Sequence, residues 1–379
     1  MIRQAYKFKL YHSESNRRLN AQRIIAGQIW NYCIARHKRY YRRFGKHLHQ
    51  NRLKKRVAYI RNNLRPEWKG LGSQAVQDVA ERIERGYQLF FLAKKQKSAR
   101  KVSPPSFRKV SKYRSFTLKQ AGWKLLEEGR VTIGKKVFRF HNSRDIEGTI
   151  KTLTICKDAV GDYWLVFSTV KKENDPGRVA TRRTAGFDFG LKQFLTGENA
   201  NYSMPEPLKQ NLAKLKRTSK NLSRKKRGSN GRKKAKRQLS LLHRRIANQR
   251  RDFHHKLAKS LAATYDVICI EDLNIRGMKK LWGRKVSDLG FAEFVSILEH
   301  HCQKAGAKLI KIDRFYPSSK TCSNCGYINH NLDLHDRSWL CPECSSKLHR
   351  DINAATNIRR EGLRFHVAQA GHCLQEKAA

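Results

Sequence analysis

Three acidic side chains stand where apolar segments of this chain end or begin. Asp188 lies in a glycine-flanked apolar run, Glu271 follows the strand-like run 267–270, and Asp351 opens an apolar helix predicted over 352–360. Carboxylates that hold two divalent ions roughly 3.5–4 Å apart can cleave a phosphodiester, because one ion activates water and the other stabilises the leaving oxygen. Mg²⁺ prefers hard oxygen ligands and keeps several waters, so a few carboxylates suffice. These residue types make a site for two Mg²⁺ ions, acting on a polyanion, the first hypothesis.

Each acid also has a purely structural explanation. Asp188 could close a turn, Glu271 could pair with a lysine, and Asp351 could cap a helix. Two neighbouring acids compete for the same roles, Asp272 beside Glu271 and Asp313 after the apolar run 308–312. Spacing alone therefore leaves the identity of the metal ligands open.

Four cysteines are arranged as two C-x2-C pairs separated by fifteen residues, namely Cys322, Cys325, Cys341 and Cys344. Two such pairs can place four thiolates around Zn²⁺ at ~2.3 Å each. Four thiolates leave no open position for water, so we expect a structural zinc site that stabilises a short insert. Disulfides or unused thiols are the alternatives. The other five cysteines are scattered, which is typical of a reducing, cytoplasmic environment.

The charge of the chain predicts a nucleic-acid partner. Its 379 residues include 82 Lys and Arg against 30 Asp and Glu, a formal charge of +52. That excess would destabilise a compact monomer unless a polyanion neutralised it, and binding to nucleic acid would weaken steeply with salt. Apolar runs of about 18 residues, as a membrane span requires, are missing from the sequence. We therefore expect no membrane partner.

The most basic tract contains no acid between Glu206 and Asp252. Leucines at helical spacing on both sides of the break at 228–231 predict a helical hairpin. A solvated face or a localisation signal is the alternative to a surface that faces phosphates. Our candidates for phosphate contacts are Arg224, Lys225, Lys226, Arg227, Lys233 and Lys234.

The elements that must position these residues fall into four segments. Alternating apolar residues predict an N-terminal strand and further strands from about 116 to 170, whereas 15–95 is helical in pattern and 180–313 alternates strand and helix. We expect a multidomain α+β protein: a β-barrel (1–12 and 115–178) with an inserted helical domain (13–114), then an α/β domain (179–318 and 348–379) with a zinc insert (319–347). Asp175-Pro176-Gly177 marks the main boundary.

Several motifs resemble those of the TnpB family of insertion-sequence proteins. They are GFDFG at 186–190, IEDLN at 270–274, SKTCSNCG at 319–326, DRSWLCPEC at 336–344 and RDINAATNI at 350–358. Further similarity at 73–91 and 115–117 extends the resemblance over nearly the whole chain.

The resemblance implies an RNA-guided DNA endonuclease related to type V CRISPR effectors. It implies a guide RNA from the transposon end, double-stranded target DNA with a short adjacent motif, and cleavage by a RuvC-like RNase H fold. The barrel would be the wedge domain and the inserted helices the recognition domain. Carried over motif by motif, Asp188, Glu271 and Asp351 are the catalytic acids that hold Mg²⁺, and the four cysteines hold zinc.

Ser73 and Gln77 are candidates for reading the adjacent motif, because Gln can bond an adenine edge; helix capping and packing are the alternative. Two rival functions stay open, a guide-dependent repressor that does not cut and a DNA-strand-transfer transposase. The intact trio disfavours the first, and the RuvC-type motif set disfavours the second. We expect a prokaryotic cytoplasmic protein, associated with the nucleoid and monomeric.

Overall fold

The computed structural model describes residues 2–96, 102–171, 180–333 and 335–375, and the side chains among them except those of Ile2, Arg276 and 366–375. The chain divides into two compact units, residues 1–173 and 174–379. The predicted boundary at 175–177 lies outside the described residues. Within the described ranges, every helix is too short or too polar to cross a membrane. The mixed α and β content expected from the sequence is confirmed.

The described residues of the first unit form seven strands and three α-helices, with short π and 3-10 turns between them. The strands are β1 (Ile2–Lys9), β2 (Ser115–Leu118), β3 (Trp123–Leu126), β4 (Arg130–Ile133), β5 (Lys136–Arg139), β6 (Thr149–Lys157) and β7 (Tyr163–Lys171); the helices are α1 (Asn16–Phe44), α2 (Gln50–Tyr59) and α3 (Ser73–Lys95). One antiparallel sheet has the order β1-β7-β6-β2, and a second has the order β3-β4-β5. The N-terminal strand thus pairs with β7 at one side of the first sheet, and the predicted barrel stays a prediction.

The helices of this unit are an insertion between two strands of the same sheet. In sequence, α1 to α3 lie between β1 and β2. Their apolar faces share one core with the strands, which includes Ile29, Val79, Phe116 and Phe167. The capping alternative for Ser73 was wrong. Ser73 is the first helical residue of α3 rather than its cap, because the carbonyl of Gly72 already accepts the amides of Ala75 and Val76.

In the second unit, three of the strands form a parallel sheet, and this unit also contains shorter strand pairs. Its strands are β8 (Thr184–Phe187), β9 (Leu195–Thr196), β10 (Asn201–Tyr202), β11 (Val267–Glu271), β12 (Lys308–Ile312), β13 (Ser338–Leu340) and β14 (Lys347–His349); its helices are α4 (Pro207–Gln210), α5 (Leu212–Arg224), α6 (Asn230–Thr264), α7 (Ile275–Leu289), α8 (Phe291–Ala305) and α9 (Arg350–Gln375). The parallel sheet has the order β12-β11-β8. The central strand β11 is apolar from Val267 to Ile270 and ends in Glu271; its three middle residues are buried, in core clusters on both faces of the sheet, as expected for a buried parallel strand.

Candidate active site and metal centre

Two of the three acids, Asp188 and Glu271, lie side by side where the strands of the parallel sheet end. We call this carboxyl end of the sheet the acidic edge. Ile270 of β11 pairs with Phe187 of β8, so the next residues, Glu271 and Asp188, occupy neighbouring positions at the carboxyl ends of the strands. This edge is the usual place for ligands in open α/β sheets. Asp188 is fixed there by a pair of 2.9 Å backbone hydrogen bonds with Thr196.

Helix α9 brings the third acid to the same edge. The helix packs on β8 and β11, and its approach to Gly186 is so close that an added Cβ would lie 2.5 Å from the amide nitrogen of Arg359 and still closer to the carbonyl oxygen of Ala355. Asp351 stands one turn before Ala355, in the first turn of α9. Residues four apart share a helix face, so this crossing carries Asp351 towards the end of β8.

The electrostatics show that the other two acids act on the carboxyl group of Asp188. Burial and, after it, the charges of Glu271 and Asp351 together raise the pKa of Asp188 to about 7, against the opposing effect of Arg350. Burial also raises the pKa of Glu271, although Ser318 donates a hydrogen bond to that carboxylate. Repulsion of this kind is what a divalent cation would relieve.

The carboxylates are nevertheless not gathered around a single point. Arg337 of the cysteine-rich insert holds Asp351 through two hydrogen bonds, of 2.9 and 3.2 Å. In the described ranges, the acidic trio does not form a group whose ligand atoms all lie within 4.8 Å, whereas the four cysteines do. The trio is thus assembled at one edge, with Asp351 turned onto an arginine.

The two rival acids have other partners. Asp272 forms an ion pair with Arg314, and Asp313 accepts the backbone amide of Phe315 at 2.7 Å. Both therefore stabilise the turn that follows β12. Asp351 does not cap α9 either, because that helix already begins at Arg350.

The four cysteines form a cluster that fits a tetrahedral metal ion. The Sγ atoms of Cys322 and Cys344 are 3.7 Å apart, and those of Cys325 and Cys341 are 3.5 Å apart. Ligands at ~2.3 Å in a tetrahedron would be separated by about 3.8 Å. All four thiols are free of disulfides, so the predicted ligand set is brought together and the disulfide alternative is wrong.

Two buried asparagines of α9, which sequence reasoning left without a role, join this insert to the acidic edge. Asn353 accepts the amide of Ser323 at 2.8 Å and donates to the carbonyl of Thr321 at 2.7 Å. Asn357 donates to the carbonyls of Ser318 and Thr321 at 2.8 and 2.6 Å. Their spacing of four residues on an otherwise apolar helix face was the available signal.

Comparison with known proteins places this arrangement in a family. The model of a probable transposase family, OrfB_IS605, matches residues 167–281, and the TNB domain model of Cas12f1-like proteins matches residues 291–358. A Streptomyces pristinaespiralis protein named "Putative RNA-guided DNA endonuclease" is 31% identical over 326 residues, which cover 82% of this chain and 79% of that protein. The "TnpB-like protein L79" of Acanthamoeba polyphaga mimivirus is 33% identical over 256 residues, 60% of this chain and 46% of that one. The chain belongs to the TnpB family.

A solved structure agrees with the TnpB fold described above. The protein chain in a "Cas12f1-sgRNA-target DNA complex" superposes with a TM-score of 0.54 and 15% identity, covering 94% of this chain and 98% of that chain. At this identity the likeness concerns the fold alone. The segment matched by the OrfB_IS605 model contains Asp188 and Glu271, and the segment matched by the TNB domain model contains the four cysteines and Asp351.

The basic hairpin of this TnpB chain is formed by α5 and α6, as predicted. The six candidate phosphate contacts lie on its exposed surface around the turn. The two helices also enclose a groove of about 730 Å³, whose basic lining includes Lys214, Arg217, Lys220 and Arg245. The sequence did not single out these four residues, since only the packing of the two helices places them together. Ser73 and Gln77 lie exposed on α3 in the other unit.

The close packing at Gly186 predicts a large effect of one methyl group. In Gly186→Ala, the new Cβ would overlap backbone atoms of α9, which cannot move as a flexible side chain can. Overpacking of this kind typically costs 1–3 kcal/mol, so we expect the free energy of unfolding to fall by about 2 kcal/mol or more. Denaturant unfolding measures the change. Gly231→Ala is the matched control, because its Cβ would make only ordinary contacts at 3.9–4.0 Å; equal stability of the two variants would contradict the packing described.

Proposed function

We propose that this TnpB-family protein is an RNA-guided DNA endonuclease. It binds a guide RNA derived from the transposon end, recognises a short motif next to the target in double-stranded DNA, and cleaves the target. The meeting of Asp188, Glu271 and Asp351 at one sheet edge carries the proposal, because mutually repelling carboxylates suit divalent cations. The name of the Streptomyces relative supports the same activity.

Asp188, Glu271 and Asp351 are the residues we assign to hold two Mg²⁺ ions. Bound there, Mg²⁺ would supply activation of water and stabilisation of the leaving oxygen. The donor set fits, since all three groups offer hard oxygen ligands; burial and the neighbouring carboxylates raise the pKa of Asp188, and a bound cation would favour its ionised form. Ser318 orients Glu271 through its hydrogen bond, and Arg337 competes with the ions for the carboxylate of Asp351.

The finer architecture is part of the same proposal. The sheets of the first unit are the wedge barrel, its inserted helices are the recognition domain, and the parallel sheet with α9 is the RuvC-like nuclease domain. The four cysteines hold a structural zinc ion in the insert. The proposed domain borders are those expected from the sequence. The protein is proposed to be a monomer in the prokaryotic cytoplasm, associated with the nucleoid.

Recognition divides between protein and RNA in this proposal. The exposed basic residues of the hairpin contact phosphates without reading sequence, and base pairing with the guide reads the target. Ser73 and Gln77, both exposed on α3, contact the adjacent motif.

One experiment tests the function against its rivals. The protein is purified from cells that carry its element, the bound nucleic acid is sequenced, and the complex is given matched DNA with Mg²⁺. A defined RNA and guided cutting are expected. Guided binding without cutting would identify a repressor instead, and strand joining without RNA would identify a transposase.

The groove of the hairpin predicts a change in salt dependence. Replacing Lys214 and Lys220 with glutamine removes two phosphate contacts, so the slope of log K for guide RNA against log salt should become shallower by about 1.5. Lys256→Gln with Lys259→Gln is the matched control, because it removes the same charge from exposed positions of α6 outside the groove. Equal slopes in the two double variants would exclude the groove as a phosphate site.

A further inference from the structure

Phe315 is the most exposed of the large apolar side chains among the described residues, with 86% of its surface accessible. Burial of a Phe side chain is worth roughly 1.5–3 kcal/mol, and this ring gains almost none of it. Polar residues and glycine usually occupy such turns. The Phe315 ring therefore contributes little to folding and is available for contact with a binding partner.

The turn that carries Phe315 is attached to Glu271 at both of its ends. Ile312, the last residue of β12, pairs with Glu271 in the parallel sheet. Six residues later, the hydroxyl of Ser318 donates to the Glu271 carboxylate. The chain thus leaves the acidic edge and returns to it, with Phe315 midway.

The backbone of the turn is held firmly beneath the ring. The Asp313 carboxylate accepts the amide of Phe315 at 2.7 Å, and the Asp313 carbonyl accepts the amide of Tyr316 at 3.2 Å. Arg314 is paired with Asp272. With both neighbours engaged, Phe315 is presented outward; it lies three residues from Ile312, which limits its Cα to about 11 Å from that residue.

We propose that Phe315 is a stacking platform for an unpaired nucleobase of the DNA strand that is being cut. This inference rests on the proposed nuclease function and adds a positioning residue to it. Base–aromatic stacking tolerates any sequence, as a guided enzyme requires, because every base has a π face.

Stacking would act on the cleavage step rather than on guided binding. A base held on the ring fixes the neighbouring phosphodiester beside Glu271, and positioning of this kind speeds reaction without a new chemical group. Loss of one stacked base corresponds to ~1–3 kcal/mol, which converts to about 5- to 150-fold in rate. The effect should depend on the presence of a base at one position of the strand.

The test measures single-turnover cleavage by the purified guide-loaded complex, using targets in which one abasic site is moved through the nucleotides around the cut. Wild type should slow at one abasic position. Phe315→Ala should slow on intact DNA by about 5- to 150-fold and lose its response to that position, whereas Phe315→Trp should keep both the rate and the response. Target binding and melting temperature should be unchanged, since the ring is exposed. Leu340→Ala, which removes another exposed apolar side chain, should match wild type.

The outcomes separate this inference from the proposed function. If wild type cuts guided DNA but Phe315→Ala cuts equally fast, or if both proteins respond alike to every abasic position, the stacking role is overturned and the nuclease function stands. If wild type does not cut at all, the proposed function fails and the stacking role fails with it.

Discussion

Asp188→Asn is expected to reduce guided DNA cleavage by at least about 10³-fold while the protein keeps its guide RNA. Asparagine preserves the shape of the side chain but offers one neutral oxygen, so it should weaken binding of the proposed Mg²⁺ ions. Metal stabilisation of transition-state charge is worth several kcal/mol, and each 1.36 kcal/mol is tenfold in rate. Single-turnover cleavage and the amount of co-purified RNA are the two measurements.

This loss can be distinguished from unfolding. Burial and two nearby carboxylates raise the pKa of Asp188, so the folded state favours the neutral form and a neutral asparagine relieves an unfavourable charge. Without Mg²⁺, the melting temperature of Asp188→Asn should therefore equal or exceed that of the wild-type protein under the same conditions. Asp252→Asn, an exposed acid paired with Lys256 on α6, is the control and should cut normally. Full cleavage by Asp188→Asn would remove this residue from the site.

The positions of the acids could be predicted from the sequence because their signals are local. A run of four apolar residues before Glu271 indicates a buried parallel strand, and parallel strands share their carboxyl edge. The two C-x2-C pairs and the leucine spacing of the hairpin are local signals as well. These parts of the site follow from periodicity and short-range spacing.

The remaining parts of the site depend on contacts between distant segments. Asn357 joins a carbonyl 39 residues away, and Arg337 reaches Asp351 across the insert. Gly186 matters because a helix that begins more than a hundred and sixty residues later crosses it. No local pattern encodes such pairings, since each partner alone has an ordinary sequence environment. The same reason explains why Arg337, Ser318 and Phe315 were not singled out.

Loss of the cysteine cluster is the second large effect that we expect. In Cys341→Ser the complex should contain no zinc, because a serine hydroxyl is a poor substitute for a thiolate ligand. Zinc sites of this kind contribute about 10–16 kcal/mol to the folding of small domains. The insert has little else to stabilise it: the buried part of its core consists of Cys322, Leu332, Trp339 and Cys341. Strands β13 and β14 should lose protection from hydrogen exchange, which metal analysis and exchange measurements would detect together.

Loss of the zinc-binding insert should also reduce the rate of DNA cleavage, even though none of the cysteines is a proposed Mg²⁺ ligand. The segment 318–323 connects the two sites, since Ser318 contacts Glu271 while Asn353 and Asn357 fix Thr321 to α9. Without the metal that orders Cys322, this segment loosens and both Glu271 and Asp351 lose their supports. Groups that support a metal site typically contribute 10- to 100-fold, and we expect a loss of that size.

The control for this experiment is Cys156→Ser, which changes a half-buried thiol in β6 outside the insert and should retain both zinc and cleavage. If Cys341→Ser lost its zinc yet cut DNA at the wild-type rate, the connection through 318–323 would be wrong, because the acidic edge would then be rigid without it. If the variant kept its zinc, the ligand assignment itself would be wrong. The two results are separate, so metal content and cleavage rate measured on one preparation distinguish a structural role of the insert from a direct effect on the acids.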